Sequence, residues 1–350
     1  MDINSLLRSV MDKKASDLHI IAGSPPVFRI NTQLIRLGSQ NLTPEESKEL
    51  IESMLSVEQK ARFQKEKELD VSYALPGLAR FRVNVHYQRE TYAASFRIIP
   101  TKIPTLEQLQ IPAAVGEFAK EPRGLILVTG PTGSGKSTTQ AAMINFINSY
   151  RKCHIITIED PIEYLHANKE SVIEQRELGA DTFSFAEALK RVLRQDPDVI
   201  LVGEMRDLET ISTAITAAET GHLVISTLHT NDSVQAVDRI VDAFPPHQQQ
   251  QIRLQLSMSL QGIIAQQLLP REDGSGMIAA IEVMRVTPGI RNIIRKAATH
   301  ELYSQMEIGA KYGMKTMDSS LKELYQKKII TFDDAQAHAI NQEQFMQIAH

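Results

Sequence analysis

Four short apolar runs between residues 125 and 228 constrain the fold of this chain more than any other feature of its sequence. The runs are Leu125–Thr129, His154–Glu159, Val199–Gly203 and Leu223–Leu228. Stretches with helical periodicity alternate with them, at 137–150, 184–195, 207–220 and 232–242. Strands that are apolar on both faces and separated by helices are typical of a parallel sheet covered on both sides. The sequence therefore predicts an α/β domain in this part of the chain.

The first hundred residues predict a smaller α+β domain. A helix is expected over about 3–14, and strands are expected near Asp17–Ala22 and Val27–Ile30. A capping-box sequence that begins at Thr43 marks the start of a further helix. Helical periodicity then continues over Leu50–Phe63.

The clearest strand alternation in the chain follows this helical stretch. One face carries Phe81, Val83, Val85 and Tyr87, and the other carries Arg80, Arg82, Asn84 and His86. Tyr92–Ile98 is the expected hairpin partner, with Arg97 on its outward face. By default, the three outward arginines Arg80, Arg82 and Arg97 belong to a solvated sheet face.

Prolines at 100, 104 and 112 indicate where the two domains meet. We place the N-terminal domain at 1–100, a linker at 101–112 and the second domain at 113–350. After Pro270 a further helical region is expected to about 340, with helix starts at Thr287 and Thr331. The C-terminal helices of the second domain are expected from about 287.

The composition excludes several classes of protein. The chain has 38 Lys and Arg against 42 Asp and Glu, so no global positive field is available to hold a nucleic acid. Cys153 is the only cysteine, which excludes an intramolecular disulfide and a cysteine zinc site. No segment approaches the roughly 20 apolar residues that span a bilayer. We therefore expect a cytoplasmic protein without direct membrane insertion, which reaches a membrane only by association.

One loop carries the strongest chemical signal. It follows the first apolar run, fits the pattern G-x-x-x-x-G-K-[ST], and comprises Gly130, Pro131, Thr132, Gly133, Ser134, Gly135, Lys136 and Ser137, with Thr138 next to it. The glycines let consecutive backbone N–H groups point at phosphate oxygens. Lys136 adds a positive charge for the β- and γ-phosphates, and the Ser137 hydroxyl ligates Mg²⁺. Because a strand precedes the loop and a helix follows it, the sequence predicts a site for ATP with Mg²⁺.

Hydrolysis also needs a carboxylate, and two segments that follow apolar runs supply candidates. In the first, three carboxylates fall within five positions and would repel one another without a cation or a water to organise them: Glu159, Asp160 and Glu163. The second, Asp198–Asp207, resembles a Walker B strand, with Glu204 where Asp is more usual.

Two histidines flank the apolar run at Leu223–Leu228. His229 closes a strand beside the strand of the phosphate loop, which favours a role as a sensor of the γ-phosphate. For His222, core packing and a functional role both stay open. Asp160 and Asp207 have a plainer interpretation as helix N-caps, which we favour for Asp207.

Together these blocks resemble the secretion ATPase superfamily, and within it the PilT-type retraction ATPases of type IV pili. The resemblance covers nearly the whole chain. It is carried by Ala15–His19 with Gly23, Pro25 and Pro26, by Ala79–Arg82, by the loop at 130–137, by the segment 158–164, by Glu204 within Val202–Asp207, and by His222–His229.

Two features favour the retraction motors over other members of the superfamily. Extension motors and type II secretion motors are longer and carry a tetracysteine zinc module and an extra N-terminal domain, neither of which is expected in this chain. Retraction motors carry the signature Ala-Ile-Arg-Asn-Leu-Ile-Arg-Glu. Gly289–Lys296 corresponds to it, with Gly for Ala, Ile for Leu and Lys for Glu. The isoleucines Ile290, Ile293 and Ile294 also fit a plain amphipathic core stripe.

The resemblance implies roles for individual residues. Glu163 would be the general base that polarises the attacking water, Glu204 would act on Mg²⁺ through water, and His229 would read the γ-phosphate. Arg80, Arg82 and Arg97 would supply charge to ATP from the N-terminal domain. Because the family assembles as hexamers with ATP at subunit junctions, these arginines could act within a subunit or across a junction.

We therefore predict a homohexameric ATPase with a PAS-like N-terminal domain and a RecA-like C-terminal domain, which works by nucleotide-dependent domain closure. The expected partner is the inner-membrane platform protein of a pilus machine, so that the motor lies peripheral to that membrane and withdraws pilin in twitching motility. A paralogous retraction ATPase is a further candidate partner, and no nucleic acid is expected.

Four alternatives stay open from the sequence. They are a retraction-accessory paralogue, a substrate-exporting secretion ATPase, a nucleic-acid translocase and a regulatory nucleotide-binding module that never turns over. The near-neutral charge and the lack of an aromatic-basic stripe argue against the translocase. The presence of Lys136, Glu163 and Glu204 argues against the regulatory module.

Overall fold

The computed structural model of the chain describes residues 2–30, 33–75, 78–100 and 102–349. The chain divides into two units, of which the first comprises Met1–Lys102 with Glu163–Leu165, and the second comprises Ile103–Ile162 with His166–His350. Thr101, where the predicted linker begins, lies outside the described residues. So do Met1 and His350, where the predicted domains begin and end.

Among the described residues of the first unit, six strands form one antiparallel sheet in the order β3-β2-β1-β6-β5-β4. The strands are β1 (Asp17–Ile21), β2 (Val27–Ile30), β3 (Gln33–Arg36), β4 (Glu68–Leu75), β5 (Ala79–Gln88) and β6 (Thr91–Ile99). The helices are α1 (Ile3–Asp12), α2 (Pro44–Glu52) and α3 (Val57–Glu66). Alternation along β5 decides which face packs inward, because Phe81, Val83 and Val85 are fully buried while Arg82 is exposed.

The helical stretch predicted over Leu50–Phe63 is interrupted. α2 begins at the predicted capping box, where Thr43 and Glu46 exchange two hydrogen bonds, but it ends at Glu52. A second capping box between Ser56 and Gln59 then starts α3. The prediction of one continuous helix was wrong here. The Ser56 side chain caps the N–H groups of a new first turn, which favours the start of a second helix.

Among the described residues of the second unit, seven strands form a sheet in the order β13-β12-β7-β11-β10-β8-β9. All neighbours pair in parallel except β12 and β13. The strands are β7 (Gly124–Thr129), β8 (His154–Glu159), β9 (Val172–Glu177), β10 (Val199–Val202), β11 (Leu223–Leu228), β12 (Leu260–Pro270) and β13 (Met277–Arg285). β7 lies inside the sheet and is buried along its whole length.

The helices of the second unit cover both faces of this sheet, as the apolar runs predict. They are α4 (Ala113–Ala119), α5 (Lys136–Tyr150), α6 (Phe185–Val192), α7 (Leu208–Glu219), α8 (Ser233–Asp242), α9 (Pro246–Ser259), α10 (Pro288–Arg295), α11 (Leu302–Glu307), α12 (Met317–Gln326), α13 (Phe332–His338) and α14 (Gln342–Ala349).

Part of the helical region predicted after Pro270 is a strand. β13 pairs with β12 from Gly262 to Pro270, and the turn between them is closed by a hydrogen bond from the N–H of Arg271 to the carbonyl of Gly276. A short apolar run fits a helix or a strand equally well, and here the long-range pairing decides. The helix starts predicted at Thr287 and Thr331 are confirmed, because each hydroxyl caps the helix that follows it.

Glu282 ties the C-terminal helices to the sheet. Its buried carboxylate on β13 accepts hydrogen bonds from the N–H of Ser233 at 2.8 Å and of Met317 at 3.2 Å, the first residues of α8 and α12. Desolvation raises the pKa of Glu282 to about 7, although the two N–H groups favour the ionised form. One carboxylate thus joins two helix N-termini that are far apart in sequence.

The predicted fold class is confirmed. A small α+β unit is followed by an α/β unit with a parallel sheet and C-terminal helices. In the part of the chain that the structure describes, no helix is both long enough and apolar enough to cross a membrane.

Candidate active site

The loop between β7 and α5 turns sharply because three of its glycines adopt positive φ. The angle is 146° at Gly130, 82° at Gly133 and 88° at Gly135, a region that other residues adopt at a cost. Gly130 also has no room for a side chain, since a Cβ there would lie 2.3 Å from the carbonyl oxygen of Gln266. The buried strand before the loop and the helix that begins at Lys136 hold its two ends.

Lys136 folds back over the loop. Its Nζ donates hydrogen bonds to the carbonyl oxygens of Gly130 at 2.8 Å and Pro131 at 2.9 Å. Partial burial lowers the pKa of Lys136, and the negative charge of Glu204 opposes that shift. At the same place the first turn of α5 presents backbone N–H groups that no side chain caps, with Ser137 exposed. A helix N-terminus beside an ammonium group is a favourable site for a phosphate.

A buried glutamine that the sequence analysis missed holds the loop from the side. Gln266 lies on β12, the neighbour of β7, and is 1% exposed. Its Nε2 donates a hydrogen bond to the carbonyl of Ser134 at 2.5 Å, and its Oε1 accepts one from the hydroxyl of Thr139 at 2.9 Å. A polar residue inside the apolar run of β12 was a visible signal, but without the sheet pairing it points to no site.

Glu204 and His229 come together beyond the ends of β10 and β11. Glu204 Oε1 lies 3.3 Å from His229 Nε2, and Glu204 Oε2 lies 2.8 Å from Arg206 Nη2. Burial alone would raise the pKa of Glu204, but hydrogen bonds and charge from Arg206 and His229 outweigh it and hold that pKa below its usual value. Glu204 is therefore an anion at neutral pH.

Hydrogen bonds between β10 and β11 determine where Glu204 lies. The hydroxyl of Ser226 donates to the carbonyl of Val202 at 2.8 Å, and that of Thr227 donates to the carbonyl of Gly203 at 2.6 Å. The two accepting residues directly precede Glu204 in the chain. Buried hydroxyls on one strand thus orient the backbone that carries a carboxylate on the next.

β9, which the sequence analysis did not predict, clamps the segment that carries Glu163. The buried side chain of Glu177 accepts a hydrogen bond from the N–H of Ile162 at 3.1 Å, and Gln175 accepts one from the N–H of His166 at 2.8 Å. These bonds anchor the chain on both sides of Glu163. The backbone on either side of the motif residue Glu163 is therefore held by a strand outside the motif.

The other two carboxylates of that segment have partners of their own. Glu159 accepts a hydrogen bond from the hydroxyl of Thr157 at 2.7 Å. Asp160 interacts with Arg206. The pKa of Arg206 is raised chiefly by its hydrogen bond and charge interaction with Glu204, and further by the negative charge of Asp160. The mutual repulsion predicted for the three carboxylates is therefore relieved by separate partners.

Of the three predicted arginines, Arg82 contacts a predicted catalytic residue. Its Nη1 lies 3.5 Å from Oε1 of Glu163, and both side chains are about half exposed. Both residues belong to the first unit. Arg97 pairs directly opposite Arg82 in the sheet, but its Nε donates to the buried Asp17 at 2.8 Å. Arg80 is half-buried on the same strand as Arg82. Arg97 thus compensates a buried carboxylate, and Arg82 is the better candidate for a catalytic charge.

Three other residues singled out in the sequence are explained by local structure. Asp207 caps α7, where it accepts hydrogen bonds from the N–H and the hydroxyl of Thr210, both at 2.8 Å. His222 Nδ1 lies 2.9 Å from the carbonyl of Ala217 near the end of the same helix. No helix begins at Asp160 in this described part of the chain, so the N-cap interpretation is wrong there and right for Asp207.

The segment Gly289–Lys296 forms α10 with its flanking residues, and the packing alternative accounts for its isoleucines. Ile290, Ile293 and Ile294 are buried, with at most 6% exposure. Arg291 Nη1 donates hydrogen bonds to the carbonyls at the end of α9, those of Ser257 and Met258. The exposed side chains of the segment are Asn292, Arg295 and Lys296.

An apolar cavity of about 180 Å³ adjoins the loop. Its walls come from the stretch before α4, from the loop and α5, and from the β12–β13 hairpin. Its apolar lining includes Leu109, Ile111, Leu268, Met277 and Ile278. Such a concave, mostly apolar space beside a phosphate site suits a flat aromatic ring. The sequence analysis missed it because its walls come from three separate stretches.

The residues present fit a magnesium ion that is held mainly by phosphate oxygens. Ser137 is exposed in the first turn of α5, and Glu204 offers an ionised carboxylate for a water-mediated contact. Within the described ranges, no group of three His, Cys, Asp or Glu side chains could hold a metal ion. Mg²⁺ typically keeps several waters and takes one or two protein ligands besides substrate phosphates.

Comparison with known proteins extends the similarity to nearly the whole chain. A family model described as type II/IV secretion system protein matches residues 1–336. The chain is 47% identical over 348 residues to the type IV pilus retraction ATPase PilT of Pseudomonas aeruginosa, with 99% of this chain and 100% of that protein covered. It is 43% identical over 339 residues to the type IV pilus ATPase PilU of the same species, with 97% and 89% covered.

A solved structure supports the same similarity in three dimensions. The chain superimposes on the crystal structure of the pilus retraction motor PilT with bound ADP at a TM-score of 0.93. The two sequences are 45% identical, and the match covers 99% of this chain and 100% of the other. The likeness therefore extends well beyond the phosphate loop.

Glu177→Met should loosen the segment around Glu163 without touching the phosphate loop. It removes the acceptor of the buried Ile162 N–H, and a buried donor without a partner costs about 1–3 kcal/mol. We expect hydrogen–deuterium exchange of a peptide covering 160–168 to rise by about tenfold. Glu174→Met is the matched control, because Glu174 lies on the same strand with an exposed side chain. Equal exchange in the two variants would contradict the clamp.

Proposed function

The chain belongs to the type II/IV secretion system protein family, and on that premise we propose that it is an ATP-hydrolysing motor that drives the retraction of type IV pili. One observation carries the proposal: the chain matches a pilus retraction ATPase at 47% identity, over essentially the full length of both. The loop at 130–137 supports it, because three of its glycines have positive φ and its sequence fits the phosphate-binding pattern.

In this proposal ATP binds to the loop and the adjoining cavity. Backbone N–H groups of residues 132–138 and the ammonium of Lys136 hold the phosphates, and the apolar cavity receives the adenine. Ser137 and, through water, Glu204 hold Mg²⁺, which supplies positive charge to the β- and γ-phosphates when bound.

The proposed chemistry needs one base and two groups that respond to the γ-phosphate. Glu163 takes a proton from the attacking water. His229 reads the γ-phosphate from the end of β11, where Glu204 orients its ring at 3.3 Å. Arg82 supplies positive charge to the transition state. Its ion pair with Glu163 is half exposed, and such pairs contribute only about 0–1 kcal/mol, so Arg82 can exchange this partner for a phosphate.

The proposed assembly is a homohexamer with ATP at the subunit junctions. It works in the cytoplasm, peripheral to the inner membrane, where nucleotide-dependent closure of the two units acts on the platform protein of the pilus machine. A paralogous pilus ATPase is a candidate partner. A retraction-accessory role is the main alternative, since the chain is similar to both PilT and PilU.

Glu163→Gln should retain nucleotide binding and lose turnover, because it keeps the shape of the side chain and removes the base. We expect ATPase activity at saturating ATP to fall by at least about 10²-fold, with near wild-type affinity for ADP. Lys136→Ala is the matched comparison and should weaken ADP binding itself, because it removes a charge from the phosphates. Wild-type turnover in Glu163→Gln would assign the base role to another residue.

Arg82→Ala should lower ATP turnover more than about tenfold, because a charge delivered to the γ-phosphate is worth about 10³–10⁵ in rate. Arg97→Ala should chiefly lower thermal stability, because it removes a partner of the buried Asp17. The exposed Arg62, which pairs with Glu66 along one helix, is the control and should change neither property when replaced by Ala.

Mixed rings of Arg82→Ala and Glu163→Gln subunits show where the arginine acts. Recovery of activity means that Arg82 and Glu163 work from different subunits, and no recovery means that they work within one. Wild-type turnover in Arg82→Ala alone would leave this arginine as part of a solvated sheet face and remove its catalytic role.

Loss of the gene in its own organism should leave cells with excess surface pili and no twitching motility, because pili that are not withdrawn accumulate. A Glu163→Gln allele should reproduce this phenotype, and the wild-type allele should reverse it. Electron microscopy and a surface motility assay measure both properties. Cells without pili would contradict retraction in favour of an extension or export motor, and unchanged piliation would favour an accessory paralogue.

A further inference from the structure

β12 carries one buried polar side chain past the end of the phosphate-loop strand. Ala265 on β12 pairs with Thr129, the last residue of β7, so the next residue, Gln266, lies beside the loop itself. The three residues before it on the strand, Ile263, Ile264 and Ala265, are apolar and fully buried, and Gln266 itself is 1% exposed. A buried amide in an apolar strand costs free energy unless both of its ends are hydrogen-bonded.

Both ends of the Gln266 amide are used, and both bonds go to the loop or the helix that follows it. Nε2 donates to the carbonyl of Ser134, and Oε1 accepts from the hydroxyl of Thr139. The residue also touches two glycines of the motif. A Cβ on Gly130 would lie 2.3 Å from the backbone oxygen of Gln266, and one on Gly135 would lie 3.1 Å from its Nε2.

The bond to Ser134 sets the direction of a loop N–H group. In a trans peptide the C=O and the following N–H point in opposite directions. When Gln266 holds the Ser134 carbonyl on its own side, the N–H of Gly135 must point away from β12. In the loop pattern G-x-x-x-x-G-K-[ST], backbone N–H groups form the cradle for the α- and β-phosphates.

We propose that Gln266 is a positioning residue for nucleotide binding. Its amide holds the Ser134–Gly135 peptide in the orientation that adds the Gly135 N–H to the phosphate cradle, and its bond to Thr139 holds that amide in place. This role rests on the proposed binding of nucleotide at the loop. It assigns part of the loop's affinity for phosphate to a residue far outside the loop motif.

Gln266→Glu and Gln266→Met test this role in the full-length protein, by equilibrium binding of ADP and AMP. An ionised carboxylate in place of the amide repels the Ser134 carbonyl, whereas a protonated carboxyl donates to it as the amide does. Burial raises the pKa of a carboxyl, so the change between these forms should fall between about pH 6 and about pH 8.5. The methionine variant fills the space and donates at neither pH.

We expect Gln266→Glu to bind ADP at least about tenfold more weakly than wild type at the higher pH and to recover most of this loss at the lower pH. Gln266→Met should bind ADP more weakly at both. AMP has no β-phosphate and makes fewer contacts with the cradle, so its affinity should change less than about threefold. Gln267→Glu is the matched control, since Gln267 is half-buried and its Nε2 lies 3.5 Å from the carbonyl of His338.

Wild-type ADP affinity in both Gln266 variants would overturn the inference. So would an equal loss of ADP and AMP affinity without the pH-dependent recovery, or a loss of the same size in Gln267→Glu, because either result describes general damage to the pocket. If Gln266→Glu is unfolded at the temperature of the assay, the test uses Gln266→Met alone and compares its loss of ADP affinity with its loss of AMP affinity. Failure of the wild-type protein to bind ADP would overturn the proposed function itself, and this inference with it.

Discussion

The turn from β7 into α5 is the feature on which the rest of the site depends. Backbone N–H groups bind an anion only where they converge, and at this turn they converge because glycines adopt positive φ. Such a turn keeps its shape only if both ends are held. β7 is buried inside the sheet, and α5 begins directly after Gly135. The parallel sheet is therefore the rigid support for one short loop, and the hydrogen bond from Gln266 to the Ser134 carbonyl braces the other side of the loop.

Charge pairing holds the two predicted catalytic carboxylates differently. Arg206 and His229 keep the pKa of Glu204 below its usual value despite its burial, and Glu163 shares an exposed ion pair with Arg82. The two carboxylates thus differ in how tightly they are held. Glu204 lies in a partly buried network, where loss of a partner would leave a charge poorly compensated. Glu163 lies in a half-exposed pair, which contributes only about 0–1 kcal/mol.

Local sequence signals predicted much of the fold. The parallel strands, the phosphate loop, the alternation along β5 and the caps at Thr43, Thr287 and Asp207 all depend on residues a few positions apart. The errors lie where local signals end. Residues 277–285 were expected in a helical region because a short apolar run fits either structure, and the strands β3, β4, β9 and β12 were not predicted. For the candidate site, the sequence predicted Lys136, Glu204 and His229, whereas it did not predict Gln266, Glu177 or the apolar cavity.

The sequence by itself determined the kind of chemistry, because a glycine pattern, a lysine and a helix start specify a phosphate site within eight residues. Only the tertiary structure decided which partner each predicted side chain contacts. It placed His229 beside Glu204, and it placed His222 beside the carbonyl of Ala217 near the end of a helix. It also paired Arg97 with a buried aspartate. The contact between Gln266 and Ser134 joins residues 132 positions apart. Such pairings depend on strand order and register, which arise when the whole core packs and which no short stretch of sequence can specify alone.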